Sequence, residues 1–239
     1  MAGSTIGNIF KIMTWGESHG QGVGVVVDGC PAGIELSEED IQVMLDRRKP
    51  GQSKFTTQRK EADEVKIMSG IFEGKTTGTP ISMMVFNKTQ RSSDYSEIAS
   101  YYRPGHADYT FDEKYGFRDY RGGGRSSGRE TIGRVAAGAV AVKILKALGI
   151  SIQAYSKEIG GIGIDYNNFD MNEAFNNPFT MPDAKAAEKV SAYAAEKINE
   201  CDSVGGVIEC VIKNVMPGIG QTVFDKLDAN LAKAVMLGY

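Results

Sequence analysis

Residues 7–29, with the sequence GNIFKIMTWGESHGQGVGVVVDG, indicate the class of fold. Apolar and β-branched residues predict one strand in residues 7–16 and another in residues 22–29, joined by the loop ESHGQ. Residues 64–72 and 79–87 predict a second pair of strands around the turn EGKTTG. Because strands and helices come in clusters rather than in strict β-α alternation, the sequence favours an α+β fold with antiparallel sheets over a doubly wound parallel fold.

The best-marked helix start is at Ser37. This serine stands three residues before Asp40, with Glu38 and Glu39 between them, which is a capping-box pattern. We expect the helix to end near Arg48, before a Pro-Gly pair. The other predicted elements are helices over residues 127–148, 182–200 and 222–239, and strands over residues 151–164 and 205–215.

The stretch between the second strand pair and the long Ala/Gly-rich helix, residues 89–127, is predicted to be largely irregular. A loop of that length inside a compact domain is usually functional or disordered. We find no internal repeat, and we expect residues 1–239 to form a single domain with a weak boundary near Gly149.

Composition is that of an ordinary globular protein, with 41% hydrophobic and 24% charged residues. No apolar run approaches the ~20 residues of a membrane-spanning helix, and the N-terminal residues lack the pattern of a secretory signal. The three cysteines, Cys30, Cys201 and Cys210, form no C-x-x-C pair and lack the spacing of metal ligands. These features favour reduced thiols in a cytoplasmic protein.

Arginine is confined to one part of the chain. All ten arginines lie in residues 47–134, a segment with a net charge of +6, whereas the remainder carries −9. Since a guanidinium binds carboxylate and phosphate through two parallel hydrogen bonds, this confinement suggests a concentrated anion site. For any single arginine, pairing with Glu61, Asp63 or Glu64 on a solvated surface is the simpler interpretation.

Residues 121–130, RGGGRSSGRE, are the densest part of that segment and directly precede a predicted helix. Glycines let the backbone turn, and a helix N-terminus adds free N–H groups and partial positive charge, so the stretch suits a phosphate or a planar anionic ring system. Walker spacing and a GxGxxG after a strand are both absent. The alternative is an Arg/Gly-rich RNA-binding linker.

A second basic stretch, residues 46–61, has the sequence DRRKPGQSKFTTQRKE. By charge alone it is a fair candidate for nucleic-acid binding, but the acidic pI of about 5.6 weakens that interpretation.

The only two histidines, His19 and His106, both lie in glycine-flanked polar loops. Histidine exchanges a proton near neutral pH, so each is about equally suited to catalysis and to a plain surface role. Two histidines without further ligands make a poor case for zinc, and we expect no metal site.

These motifs together resemble the chorismate synthase family, in order and over essentially the whole chain. The resemblance rests on GESHG, DGCPAGIELSEED, RRKPGQSKFTTQRKEADEVKIMSGIFEGKTTGTPI, DYSEI, RPGHADYTFDEKYGFRDYRGGGRSSGRETIGRVAAGAVAVKIL and NPFTMPD. It implies a lyase that removes phosphate from 5-enolpyruvylshikimate 3-phosphate by 1,4-elimination to give chorismate, in aromatic amino-acid biosynthesis. It also implies a need for reduced FMN, with NADPH as an optional reductant.

The resemblance further implies a β-α-β sandwich with antiparallel sheets and helices packed between and around them, assembled as a cytoplasmic homotetramer. It places His19 beside the substrate phosphate and His106 beside the flavin. The residues that resemble the FMN contacts are Arg125, Ser126 and Ser127. The residues that resemble substrate or NADP contacts are Ser18, Arg48, Lys54, Arg129 and Arg134.

This sequence departs from the family pattern at three places. Lys54 stands where arginine is common, and Gly128 stands where alanine is usual. Family members also continue well past residue 239, so we expect this chain alone to bind FMN weakly and to turn over poorly. The alternative hypothesis is an anion- or RNA-binding module built on the two arginine-rich loops.

Overall fold

A computed structural model of the chain describes residues 3–51, 55, 61–88 and 97–236. It falls into two compact units: the first comprises Met1–Lys49, Glu61–Leu145 and Met216–Tyr239, and the second comprises Pro50–Lys60 and Lys146–Val215. The boundary between the two units, between Leu145 and Lys146, lies close to Gly149, where the sequence indicated a weak domain boundary. The assignment of residues 1–239 to a single domain stays a prediction.

Within the described part of the first unit, five strands form one antiparallel sheet: β1 (Thr5–Ile6), β2 (Lys11–Gly16), β3 (Gly22–Asp28), β4 (Val65–Ile67) and β7 (Ile81–Phe86). Their order in the sheet is β1-β2-β3-β7-β4. Between β4 and β7 in the chain, β5 (Ile71–Phe72) and β6 (Lys75–Thr76) form a small hairpin. The two predicted strand pairs are therefore confirmed, since β2 pairs with β3 and β4 with β7.

Four helices lie wholly or mainly in this unit within the described residues: α1 (Glu38–Arg48), α2 (Asp108–Tyr115), α3 (Thr131–Ala147) and α6 (Leu227–Val235). The last two residues of α3 belong to the second unit. The capping box at Ser37 is confirmed, with both reciprocal hydrogen bonds present. Residues 89–127 were predicted to be largely irregular, and residues 89–96 lie outside the described residues. The prediction was wrong for α2, whose C-cap Gly116 has the left-handed conformation. Helix α6 begins later than predicted.

The core of the first unit lies between the sheet and the helices α1 and α3. Valines on alternate positions of β3, such as Val25 and Val27, pack with Ile41 and Leu45 of α1 and with Val140 of α3. This alternation is the period of a strand with one face buried. The first turn of α3 comes very close to β2 and β3, because a Cβ on Gly133 would lie 3.0 Å from the Thr14 side chain and 3.1 Å from the Gly24 carbonyl oxygen.

The second unit contains β8 (Ser151–Ile159), β9 (Ile162–Gly163), β10 (Gly206–Lys213), α4 (Glu173–Asn176) and α5 (Ala184–Asn199). Its strands follow the antiparallel order β10-β8-β9. The single strand predicted for residues 151–164 is in fact a hairpin, because Gly160 and Gly161 both adopt positive φ and turn the chain. Met181 and Val190 are the most buried residues of its core. All strand pairs in the described residues are antiparallel, which confirms the predicted α+β class.

Within the described residues, no helix has both the length and the apolar character needed to cross a membrane.

Candidate functional site

The loop of residues 17–21 between β2 and β3, here called the histidine loop, carries Ser18 and His19 into the interior of the first unit. Their exposed fractions are only 2% and 8%. The Ser18 hydroxyl lies 3.1 Å from His19 Nδ1, so one side of the imidazole is held by its neighbour. A buried histidine in a loop is unusual enough to separate His19 from an ordinary surface histidine.

Residues 121–130, here called the arginine segment, touch the histidine loop through Gly122. This glycine has φ +63°, and a Cβ at its position would lie 2.2 Å from His19 Nδ1 and 2.9 Å from the Ser18 hydroxyl. Both the backbone conformation and the close approach therefore require glycine. The structure thus brings together two motifs that are about a hundred positions apart in the sequence.

Asn87, directly after β7, joins the histidine loop to the arginine segment from the other side. Its side-chain amide donates hydrogen bonds to the carbonyl oxygens of Glu17 (3.0 Å) and Gly20 (2.9 Å). Its side-chain oxygen accepts a hydrogen bond from Arg129 Nε at 2.9 Å. The sequence analysis missed this residue, for which the only sequence signal is a polar side chain at the end of a predicted strand.

Arg129 is a buried arginine whose charge is balanced inside the protein. Its Nη1 lies 2.9 Å from a carboxylate oxygen of Glu61 and 3.1 Å from one of Asp63. Its Nη2 is buried and has no hydrogen-bond partner among the residues that the structure describes. An unpaired buried N–H group is costly, so this nitrogen is well suited to an anionic oxygen of a ligand.

Arg48 uses all three nitrogens to brace α1 against the start of α3. It donates to Asp63 (2.8 Å), to the hydroxyl of Thr131 (3.0 Å) and to the carbonyl oxygen of Gly128 (3.0 Å). Burial lowers the pKa of Arg48, and the carboxylate of Asp63 opposes that shift. Asp63 is thus shared by Arg48 and Arg129, and its backbone has a positive φ of +46°.

Arg125 is tied to β2. Its guanidinium donates to the Thr14 hydroxyl at 2.7 Å and to the carbonyl oxygens of Gly16 (3.1 Å) and Thr14 (3.2 Å). Arg134 lies 2.7 Å from Glu130, whose other carboxylate oxygen accepts the Thr14 hydroxyl.

The two serines of the arginine segment organise its turns. The Ser126 hydroxyl donates to the Gly123 carbonyl oxygen at 2.7 Å, and Ser127 caps the short helical turn at residues 128–130. With Arg125 and Ser126 bonded in this way, the segment is an ordered loop rather than a loose linker. The predicted contacts of Arg125, Ser126 and Ser127 with FMN, and those of Arg134 with substrate, stay predictions.

The second histidine is connected to the site through Arg103. His106 is exposed, with its Nδ1 3.3 Å from the Pro104 carbonyl oxygen. Arg103 in the same loop makes two 2.8 Å hydrogen bonds to Asp108 and donates to the Gly122 carbonyl oxygen at 2.7 Å. The hydrogen bonds from Arg103 hold the pKa of Asp108 well below its usual range. The two histidine-bearing loops therefore meet at Gly122, one buried and one open to solvent.

Asp119, which lies just before the arginine segment in the chain, accepts hydrogen bonds from Arg121. The hydrogen bonds of Arg121, at 2.8 and 2.7 Å, are the main cause that lowers the pKa of Asp119, and the charge of His19 contributes in the same direction. Lys54, the remaining predicted substrate contact, lies outside the described residues.

Comparison with known proteins assigns a family to this arrangement. The family model described as "Chorismate synthase" matches residues 10–237. The chain is 75% identical to the chorismate synthase of Lachnospira eligens and 68% identical to that of Agathobacter rectalis, in each case over 99% of this chain and 64% of the relative. It therefore spans a little under two thirds of the length of these curated relatives.

A solved structure titled "Crystal Structure of Chorismate Synthase" matches 97% of the chain and 67% of its own length, with a TM-score of 0.77 and 30% sequence identity. The fold expected from the resemblance is confirmed by this likeness. The alternative hypothesis of an anion- or RNA-binding module gains no support from the comparisons.

Proposed function

Because the chain belongs to the chorismate synthase family, we propose that the protein removes phosphate from 5-enolpyruvylshikimate 3-phosphate to give chorismate. The reaction makes it a carbon–oxygen lyase of aromatic amino-acid biosynthesis. The observation that carries the proposal is the contact at Gly122, which sets the buried His19 against a segment of arginines.

The proposed substrate is a polyanion, with two carboxylates and one phosphate. Its departing phosphate needs a positive charge and a proton in order to leave. His19 is the group that we assign to hold that proton. Arg129 supplies the charge, and its Nη2 is the donor that we assign to an anionic oxygen of the substrate. Ser18, Arg48, Lys54 and Arg134 complete the proposed substrate or NADP contacts.

The residues present also fit a flavin. The hydroxyl of Ser127, the guanidinium of Arg125 and the exposed imidazole of His106 are hydrogen-bond donors that match the carbonyl groups and the phosphate of FMN. The Ser126 hydroxyl, whose hydrogen is donated to Gly123, can accept from a flavin N–H group. Nothing lies within 4 Å of the position that a Cβ on Gly124 would take, so the segment has an open side beside these donors. Reduced FMN, when bound, supplies electron density transiently and takes it back. NADPH is the reductant that we assign if the protein reduces its own flavin.

The proposal is tested by anaerobic mixing of the chain with reduced FMN and 5-enolpyruvylshikimate 3-phosphate, with chorismate and phosphate measured together. Any turnover by the native sequence should release both products in equal amounts, and His19→Gln should lower that turnover by about 10²-fold or more. Lys197→Gln, a change in the second unit, is the matched control and leaves the rate unchanged. If the native chain does not turn over, equilibrium binding of the substrate decides the case, and equal binding by native chain and Arg129→Gln refutes the proposed site.

We also infer that the protein works in the cytoplasm as a homotetramer and binds neither nucleic acid nor membrane. Support comes from the family resemblance and from the acidic pI of about 5.6. Sedimentation velocity gives the assembly state. A salt-dependent titration with RNA tests the excluded partner, because binding to phosphates through arginine weakens steeply as salt rises.

A further inference from the structure

Asn87 is the point at which the histidine loop and the buried arginine meet. Its backbone N–H donates to the Gln21 carbonyl oxygen at 3.0 Å, and its side-chain amide donates to carbonyl oxygens on both sides of His19. The loop is therefore held at residues 17, 20 and 21 by one residue of the neighbouring strand end. His19 itself lies between the held positions.

The hydrogen bonds of the Asn87 side chain require a group that both donates and accepts. The two loop carbonyls can only accept, and Arg129 Nε can only donate, so the side chain must present N–H groups to one side and an oxygen to the other. A carboxamide of this length does both. Aspartate would face the carbonyls with a second acceptor, and serine is too short to span them.

Arg129 needs the Asn87 side-chain oxygen as a partner, because its ion pairs alone do not fix the orientation of the guanidinium plane. Glu61 and Asp63 both contact Nη1, which neutralises the charge but engages only one of the three nitrogens. The bond from Nε to Asn87 sets the plane of the guanidinium, and Nη2 remains without a partner among the described residues. The direction in which Nη2 points is thus coupled to the position of the histidine loop.

We propose that Asn87 is a positioning residue, which holds the His19 loop and the Arg129 guanidinium in one fixed arrangement so that both act on the same phosphate group. This inference rests on the proposed function, because it assigns His19 and Arg129 to one anionic ligand group. It adds that the distance between the His19 imidazole and the Arg129 guanidinium depends on Asn87, whose side chain does not contact the reacting atoms.

The test uses the whole 239-residue chain with histidine-selective isotope labels, because only two imidazoles report, and His106→Gln assigns them. Inorganic phosphate is the probe, and amide hydrogen exchange of residues 17–21 is measured on the same samples. The variants are Asn87→Asp and Asn87→Ser. Asn8→Asp, in an exposed loop, is the matched control for the change of charge.

We expect both Asn87 variants to raise the half-saturating phosphate concentration at the His19 signal at least tenfold. We also expect amide exchange of residues 17–21 to become at least tenfold faster, while α5 in the second unit keeps its rate. Asn87→Ser supplies the comparison if Asn87→Asp does not fold. Faster exchange with an unchanged phosphate response reduces Asn87 to a structural residue and overturns the inference.

Failure of the proposed function gives a different result. If phosphate does not move the His19 signal of the native chain, the assignment of His19 and Arg129 to one anion is wrong. In that case the substrate itself is titrated, and a His19 response that survives unchanged in Asn87→Ser overturns the inference on its own.

Discussion

Replacing Gly122 by alanine tests the contact on which the site depends. A left-handed backbone costs a non-glycine residue about 1–2 kcal/mol. The new Cβ would start 2.2 Å from His19 Nδ1, whereas an ordinary contact needs ~3.5 Å, so the imidazole or the loop must move by about 1.3 Å. Overpacking of that kind costs a further 1–3 kcal/mol or so. We expect Gly122→Ala to lower the free energy of unfolding by about 2–5 kcal/mol.

The matched control is Gly124→Ala, two positions along the same segment. Gly124 also has positive φ, at +52°, but a Cβ there meets nothing within 4 Å. Gly124→Ala should therefore lower the free energy of unfolding only by the cost of a left-handed backbone, about 1–2 kcal/mol. The difference between the two variants measures the contact with the histidine loop.

The assay is urea unfolding followed by fluorescence. Trp15 is the single tryptophan of the chain and lies on β2, next to the histidine loop, so the signal reports on the first unit. In a double-mutant cycle, His19→Ala should open the space and bring Gly122→Ala close to the control value, a coupling of about 1–3 kcal/mol. Equal losses in Gly122→Ala and Gly124→Ala, or a penalty that His19→Ala does not relieve, would refute the reasoning.

Three further predictions follow from other parts of the structure. In a version of full family length, His19→Ala and His106→Ala each lower turnover by about 10²-fold or more, as expected for groups that move or hold a proton. A near-native steady-state rate in either variant removes that residue from the mechanism. Asp183 caps α5 by accepting hydrogen bonds from the N–H groups of Lys185 (3.0 Å) and Ala186 (3.2 Å). Asp183→Ala therefore destabilises α5 by about 1–2 kcal/mol, which is measured as faster amide exchange, whereas Asp183→Asn destabilises it less. Hydrogen bonds from Lys157 and from two tyrosines lower the pKa of Glu209 from 4.5 to about 2, so its contribution is present above pH 4.5 and is lost as the pH falls toward 2. The stability advantage over Glu209→Gln should vanish in that window, and an advantage that persists at pH 2 contradicts the assignment.

Local signals made much of the fold predictable. Ser37 and Asp40 lie within one turn, so their capping box is visible in four letters of sequence. Helix α2 was missed because it has weak local support: its N-cap is Ala107, which provides no side-chain capping hydrogen bond. The hairpin at Gly160 was missed because the apolar pattern of residues 151–164 continues through the turn.

The site was predictable as a set of residues but not as an arrangement. The glycine-flanked histidine and the arginine segment could both be recognised, yet their contact depends on the φ of Gly122, which composition does not reveal. Asn87 carries no motif, and its role arises only where the end of β7 meets the histidine loop. Long-range contacts of this kind are specified by the whole sheet rather than by any window of sequence.

The sharing of Asp63 between Arg48 and Arg129 has a consequence for selectivity. With Glu61 and Asp63 as counter-ions, the partly buried Arg48 and the buried Arg129 present almost no net charge to the solvent. A monovalent ion such as chloride gains little by entering, because it must compete with carboxylates that are already in place. Loss of either carboxylate would leave one arginine charge uncompensated, and the site would then attract chloride and other anions more strongly.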